Sequence, residues 1–276
     1  MISGSTRLIA HLGYPTETFK APLIYNPYFE KQGIDAVVVP MGCKSEDYPA
    51  FFRQLFRLSN IHGALITMPH KIATMALIDD VSTNAKVAGS CNAVRLDPDG
   101  RLVGEMFDGE GFLRGLLRKG QSVSGAQVLI VGAGGVGSAI AASLAGAGAD
   151  AIAICDPNEQ ASQGLRNRLK TYYPKTAVTI GSIDPQGFDI VVNATPLGMR
   201  KDDPLPIDVS RLSPATFVGE VVMKQEITPL LEAARARGCA FQVGTDMLFE
   251  QIPAYLEFFR FPTTSADVLR SIAKLP

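Results

Sequence analysis

Net charge, cysteine, histidine and long apolar runs are all scarce in this sequence, and each shortage excludes something. Lys+Arg number 26 against 27 Asp+Glu, a formal net charge of −1 over 276 residues. A nucleic-acid binder neutralises phosphates with clustered Lys and Arg, and binding to anionic lipid needs a similar excess, so neither partner is expected. No apolar run approaches the ~20 residues that span a bilayer, and the opening Met-Ile-Ser-Gly-Ser-Thr-Arg lacks a secretory signal's charged start and apolar stretch. A cytoplasmic protein with a small-molecule partner, monomeric or homodimeric, is expected. Cys43, Cys91, Cys155 and Cys239 show no CxxC spacing, and only His11, His62 and His70 stand beside them. The expectation is free thiols and no metal site. What the chain does have is 26 Gly and 18 Pro without a low-complexity tract, which implies many individually placed turns. With 46% hydrophobic and 19% charged residues, it has a globular composition, and its length suits two domains with separate cores. A single large barrel stays open at this point.

Apolar, β-rich runs alternate with helix-period patterns nearly from end to end, which predicts an α/β fold with mostly parallel sheets. Strands are expected at Thr6–Leu12, Asp35–Val39 and Gly63–Thr67, and helices at Pro22–Gln32, Tyr48–Leu58 and His70–Leu77. A second region opens with Gln127–Val131, a continuous apolar run of the kind a strand covered on both faces requires. A small-residue helix is expected at Gly135–Ala147. Strands Ala151–Cys155, Ala177–Ile180, Ile190–Asn193, Phe217–Glu220 and Ala240–Val243 alternate with helices Glu159–Thr171 and Thr228–Arg237. The polar stretch Gln121–Gly125 is a candidate domain junction. Asp246–Arg260 and Ser265–Lys274 read as helices that either finish the second region or return to the first.

Between the first strand and helix of that second region stands Gly132-Ala133-Gly134-Gly135-Val136-Gly137. Gly132 permits a tight turn, Gly134 lets a pyrophosphate approach the backbone, and Gly137 lets the helix pack closely on the strand. The helix N-terminus then offers unpaired N–H groups to the phosphates. A plain glycine-rich turn is the alternative, but the strand–loop–helix–strand context favours a dinucleotide. Asp156, 24 residues after Gly132 at the end of the next strand, is placed to accept both adenosine ribose hydroxyls and to repel a 2′-phosphate. No Arg or Lys follows until Arg166, so NAD is favoured over NADP. Asp156 as a simple cap of the following helix is the competing reading.

Further blocks follow in a definite order: Gly63-Ala-Leu-Ile-Thr-Met-Pro-His-Lys71, Gly89-Ser-Cys-Asn92-Ala, Gly104-Glu-Met-Phe-Asp108-Gly-Glu-Gly111, Val192-Asn193-Ala-Thr-Pro-Leu-Gly198-Met and Gly244-Thr-Asp-Met-Leu-Phe-Glu-Gln251. Together with the glycine loop they resemble the motifs of the shikimate/quinate dehydrogenase family, over about residues 8 to 258. The resemblance implies an N-terminal α/β catalytic domain (1–107), a Rossmann dinucleotide-binding domain (108–245) and C-terminal helices returning to the first domain (246–276), with substrate in the interdomain cleft. It implies reversible NAD(P)-dependent hydride transfer between a ring secondary alcohol, shikimate or quinate, and its 3-dehydro ketone. By position, Lys71 and Asp108 match the catalytic pair. Removing the hydroxyl proton as hydride leaves carbon needs such groups, since a nicotinamide cannot take that proton. Outside those motif frames they would read as two surface charges. Asn92, Gln251 and Thr67 match substrate contacts, against readings as a turn residue, an exposed helix position and a strand-end β-former. Asn193 and Thr195 match the segment that passes the cofactor. Met247 matches a nicotinamide neighbour, or is core filler.

The sequence also departs from that family. In the frame Gly13-Tyr-Pro15 to Pro22, the two serines that hold the substrate carboxylate are Phe19 and Ala21. The family's Asp-x-x-Tyr reads Glu220-Val-Val-Met223, and its Asn-Thr before the catalytic Asp reads Met106-Phe107. Losing donors to a desolvated carboxylate costs about 1–3 kcal/mol per unpaired group. Ordinary shikimate is therefore expected to bind poorly unless Lys20, Thr16, Thr18 or Lys224 supplies new donors. Drift around a plastic anchor and a changed substrate, another cyclic hydroxy acid or a less polar alcohol, weigh equally. A non-catalytic dinucleotide-binding sensor is a third expectation, opposed by the retained Lys71, Asp108, Asn92 and Gln251.

Overall fold

Strands and helices alternate as the hydrophobic pattern predicts, and in the computed structural model, which describes residues 2–200 and 202–275, they gather into two six-stranded sheets. Each sheet belongs to its own unit.

The first unit takes the described residues up to Ala85, then Gly89–Phe107, and the described residues from Ile252 onward. β1 (Arg7–Gly13), α1 (Pro22–Gln32), β2 (Ala36–Gly42), α2 (Tyr48–Leu55) and β3 (Ile61–Ile66) alternate, and β1 pairs in parallel with both β2 and β3. Three short strands the sequence pattern did not single out complete the sheet: β4 (Asp80–Val81), β5 (Ala93–Leu96) and β6 (Leu102–Glu105), in the order β2-β1-β3-β5-β6-β4. β5 runs antiparallel to β3 and β6. Its hairpin is made by Asp97-Pro-Asp-Gly100, where the Gly100 amide donates to the Asp97 carbonyl and Gly100 takes φ 86°. One core layer includes Ala10, Leu12, Phe52, Ile66 and Val94.

The expected helix His70–Leu77 is corrected to a turn followed by a single 3-10 turn, Ala73–Ala76. The Lys71 carbonyl, which an α-helix would give to Met75, instead accepts from the Cys91 amide at 2.9 Å, while Met75 donates to Ile72. His70 is buried, its ring stacked on Tyr48 at 3.8 Å and its Nε2 2.7 Å from the Cys43 carbonyl. Those tertiary bonds outweigh continuation of the helix.

α3 (Thr83–Ala88) leads from the first unit into three residues of the second, Lys86–Ala88, which otherwise spans Asp108–Gln251. The second unit contains α4 (Asp108–Arg118), β7 (Gln127–Val131), α5 (Gly135–Gly146), β8 (Ala151–Cys155), α6 (Glu159–Tyr172) and β9 (Ala177–Ile180). β10 (Ile190–Asn193), β11 (Phe217–Glu220), α7 (Pro229–Ala236), β12 (Phe241–Gln242) and the start of α8 (Gly244–Phe258) follow. All six strands are parallel, in the order β9-β8-β7-β10-β11-β12. The order reverses between β7 and β10, the doubly wound arrangement whose ligand crevice lies at the carboxyl ends of those strands. Val128, Leu129 and Ile130 are fully buried, as a strand covered on both faces requires.

Gln121–Gly125 lies within this second unit, because α4 ahead of it packs on α5: a Cβ on Gly109 would overlap the Ala139 carbonyl. α8 continues from the second unit into the first, and α9 (Ala266–Ile272) follows it there. The four cysteines are free. Among the described residues no cluster of His, Cys, Asp and Glu is arranged to hold a metal, and no helix is long and apolar enough to cross a membrane.

Candidate active site

In the second unit the glycine loop forms the turn from β7 to α5. Gly132 has φ 106°, in the left-handed region, and a Cβ there would lie 2.8 Å from the Ala194 carbonyl. A Cβ on Gly137 would overlap the Gly132 carbonyl. These two glycines are required by the fold itself. Gly134 is different: it caps α5 in an ordinary extended conformation (φ −70°, ψ −172°), and a Cβ there would meet nothing within 4 Å. The backbone does not need glycine at that position, and the space beside it is open to a ligand. No side chain caps α5, so the first-turn amides, with Gly135 exposed and Val136 half-buried, are available to phosphates. These features fit a dinucleotide.

Asp156 follows β8, and its carboxylate ties this loop down. One oxygen accepts from the Ala133 amide at 2.7 Å, and the other from the Asn158 amide at 2.8 Å. Asn158, not Asp156, caps α6, accepting from Gln160 and Ala161. That removes the competing role of Asp156 as the helix cap. A carboxylate has further lone pairs for ribose hydroxyls.

Across the strand-order reversal, Asn193 ends β10 opposite Glu220 at the end of β11. The Asn193 amide nitrogen donates to Glu220 at 3.0 Å and to the Leu197 carbonyl at 3.0 Å. Its Oδ1 accepts from the Thr195 hydroxyl at 2.6 Å and the Thr195 amide at 3.1 Å. Glu220 has no exposed surface, and it also accepts from the Thr228 hydroxyl and the Val221 and Val222 amides. Burial raises its carboxyl above the usual range, opposed by these hydrogen bonds. Sequence reasoning did not select Glu220 as a site residue. The available signal was an acid closing the apolar run Phe-Val-Gly-Glu, paired with an amide closing Ile-Val-Val-Asn.

Asp108 opens α4 and is buried, at the helix end whose dipole favours a negative charge. Gly111, one turn later, lets α4 approach α8: a Cβ there would sit 2.6 Å from the Gln251 Cβ and 2.6 Å from the Met247 carbonyl. Gln251 is buried rather than on an exposed helix face, and its Oε1 has no hydrogen-bond partner. Such an orphaned acceptor calls for a ligand or water. Met247 is 3% exposed and belongs to the unit's core cluster with Phe112 and Ile130. Met223 is exposed in the loop after β11.

In the first unit, Lys71 is half-buried beyond β3. Asn92, fully buried, accepts from the Phe107 amide at 2.9 Å, and its own carbonyl and amide bridge Ile66 and Glu105. Asn92 thus fixes the backbone immediately before Asp108 in the chain, besides any contact it makes with substrate. Thr67 donates its amide to Leu12 and lies against Gly13. Phe19 stacks on His11 with ring centroids 4.0 Å apart. His11 is buried, its Nδ1 has no partner, and burial lowers its pKa to about 4. Ala21 is half-buried and Lys20 exposed.

Residues 12–94 match the family model for the shikimate dehydrogenase substrate binding domain, and residues 115–161 that of the ThiF family. A curated relative, shikimate dehydrogenase (NADP(+)) of Acidiphilium cryptum, is 33% identical over 276 residues, covering 99% of this chain and 98% of its own. Shikimate 5-dehydrogenase of Listeria monocytogenes, solved with shikimate and NAD, superposes with a TM-score of 0.91 at 26% identity, covering 98% of this chain and 97% of that one. Ligand-free 5-ketofructose reductase of Gluconobacter sp. strain CHM43 superposes with a TM-score of 0.89 at 26% identity, covering 99% of both chains.

Proposed function

From the premise that this chain belongs to the shikimate/quinate dehydrogenase family, we propose that it is a reversible, NAD-preferring dehydrogenase of a ring secondary alcohol, with shikimate or quinate as substrate. The observation that carries the reading is Gly134, a glycine with no structural need, at the mouth of a loop whose other glycines the fold requires. A bound nicotinamide supplies the hydride acceptor. The chain supplies everything else. Lys71 and Asp108 orient the substrate hydroxyl and move its proton. Gln251 offers its unpartnered Oε1 to a substrate hydroxyl. Asp156 accepts the ribose hydroxyls and disfavours a 2′-phosphate. We further propose a cytoplasmic monomer or homodimer.

One observation favours a second substrate class. Phe19, stacked on His11, presents an aromatic ring and no hydroxyl, and His11, neutral above a pKa of about 4, adds no positive charge. An uncharged cyclic alcohol or keto sugar tolerates that surface better than a carboxylate does. Steady-state assays decide between the two: shikimate, quinate and 5-ketofructose, each with NAD(H) and NADP(H). Turnover of the acids at millimolar concentrations or below supports the first reading. Turnover of the neutral sugar alone supports the second. No turnover of any with either cofactor leaves the non-catalytic sensor standing.

A further inference from the structure

Among the described residues Glu220 is the most deeply buried Asp, Glu, Lys or Arg, with no exposed surface, and the residues it holds are informative. The Val221 and Val222 amides and the Asn193 amide nitrogen can only donate, and the Thr228 hydroxyl donates as well. Such a set suits a carboxylate, which only accepts. Through Asn193 the carboxylate reaches Thr195, whose hydroxyl accepts from the Leu197 amide at 3.1 Å, so the turn from Asn193 to Leu197 is pinned at three points. That turn is the wall of the glycine loop. Ala194 occupies the space beside Gly132 and also approaches Gly137, where a Cβ would lie 3.1 Å from its own. In a doubly wound sheet a dinucleotide crosses the reversal, with one nucleotide half over β7 and β8 and the other over β10 and β11.

We propose that Glu220 is a positioning residue for the nicotinamide half of the cofactor: it holds Asn193 and Thr195 as the shelf under that half and leaves the adenosine half to Asp156. This rests on the dinucleotide reading above. Glu220→Gln preserves size but replaces one accepting oxygen with an amide nitrogen that faces donors on either side. Loss of the network lets the shelf move.

The test compares two probes, NAD and AMP, by calorimetric titration of the folded wild-type chain and of Glu220→Gln. AMP reports the adenosine half alone. The expected result is NAD affinity weakened about tenfold, the size of one disrupted buried hydrogen-bonding group, with AMP affinity within about twofold of wild type. Unchanged NAD affinity, or equal weakening of NAD and AMP, overturns the proposal, because a merely structural defect spares neither half. Thr228→Val, which removes one donor to the same carboxylate, repeats the test if Glu220→Gln does not fold. Thr228→Ser, which keeps that donor, should restore NAD affinity, and failure to restore it overturns the proposal. A wild-type chain that binds neither NAD nor AMP instead rejects the dinucleotide reading itself.

Discussion

At the scale of single residues, the proposed function gives the Asp156 carboxylate two jobs. Its oxygens restrain the Ala133 and Asn158 amides, and their remaining lone pairs face the ribose in the proposed complex. Asp156→Ala should therefore weaken NAD roughly tenfold and shift the kcat/KM ratio towards NADP, since repulsion of the 2′-phosphate is relieved. Equal preference for both cofactors in the unmutated chain would sink the carboxylate explanation. The histidines supply a second residue-scale prediction. Burial lowers the pKa of His11 to about 4, and burial is also the first cause of the lowered values of His62 and His70. An unfolded chain takes up these protons near pH 6.5, whereas the folded chain holds the rings neutral, so stability is lost as pH falls from 6.5 towards 4. Each such proton contributes at most about 1.4 kcal/mol per pH unit in that window. His11→Phe keeps a ring against Phe19 and removes one titration, so urea unfolding between pH 6.5 and 5 should show a shallower loss than wild type. Parallel slopes would contradict the neutral, buried imidazole.

At the scale of elements, the β7–α5–β8 unit was legible because every local signal agreed: a buried apolar run, three spaced glycines, a small-residue helix and an acid closing the next strand. β5 and β6 were not, being four residues each and partly polar, although Pro98-Asp99-Gly100 between them is itself a turn signal. α4 was masked by Gly109, Gly111 and Gly115, which lower helix propensity. Its close approaches to Ala139 and Gln251 are what those glycines permit, a tertiary gain the local sequence cannot display. Phe19 and Ala21 were legible as lost hydroxyls, but the stacking of Phe19 on His11 depends on long-range packing. The glycine loop allows a paired test. Gly137→Ala drives a Cβ into the Gly132 carbonyl, so melting temperature and NAD affinity should both fall, with overpacking costing about 1–3 kcal/mol. Gly134→Ala meets open space in an ordinary backbone conformation, so the melting temperature should hold while NAD affinity falls roughly tenfold or more as the pyrophosphate is pushed away. Unchanged NAD affinity in folded Gly134→Ala would count directly against the cofactor site.

At the scale of the whole molecule, the described residues up to Ala85 and from Ile252 onward belong to the first unit, and most of the intervening chain belongs to the second. The returning segment is built into the first unit's core. The Phe259 ring fills the space beside Gly63, its carbonyl lies 2.6 Å from His62 Nε2, and Phe261 packs 5.1 Å from the Phe29 ring. Tyr28 donates its hydroxyl to the Pro262 carbonyl at 2.6 Å, and the Lys274 amide donates to the Leu23 carbonyl. The dinucleotide site proposed above, by contrast, draws its named residues from the stretch between β7 and Thr228. Substrate-unit stability and cofactor affinity should therefore separate. Phe259→Ala removes a side chain with no exposed surface, and truncating a buried aromatic residue to alanine costs about 3–5 kcal/mol. The first unit should unfold at a markedly lower urea concentration, while NAD affinity at 25 °C, below that transition, stays within about twofold of wild type. Urea unfolding followed beside NAD titration checks both halves of the expectation. Loss of NAD affinity in proportion to loss of stability would show that the two units do not hold their functions independently.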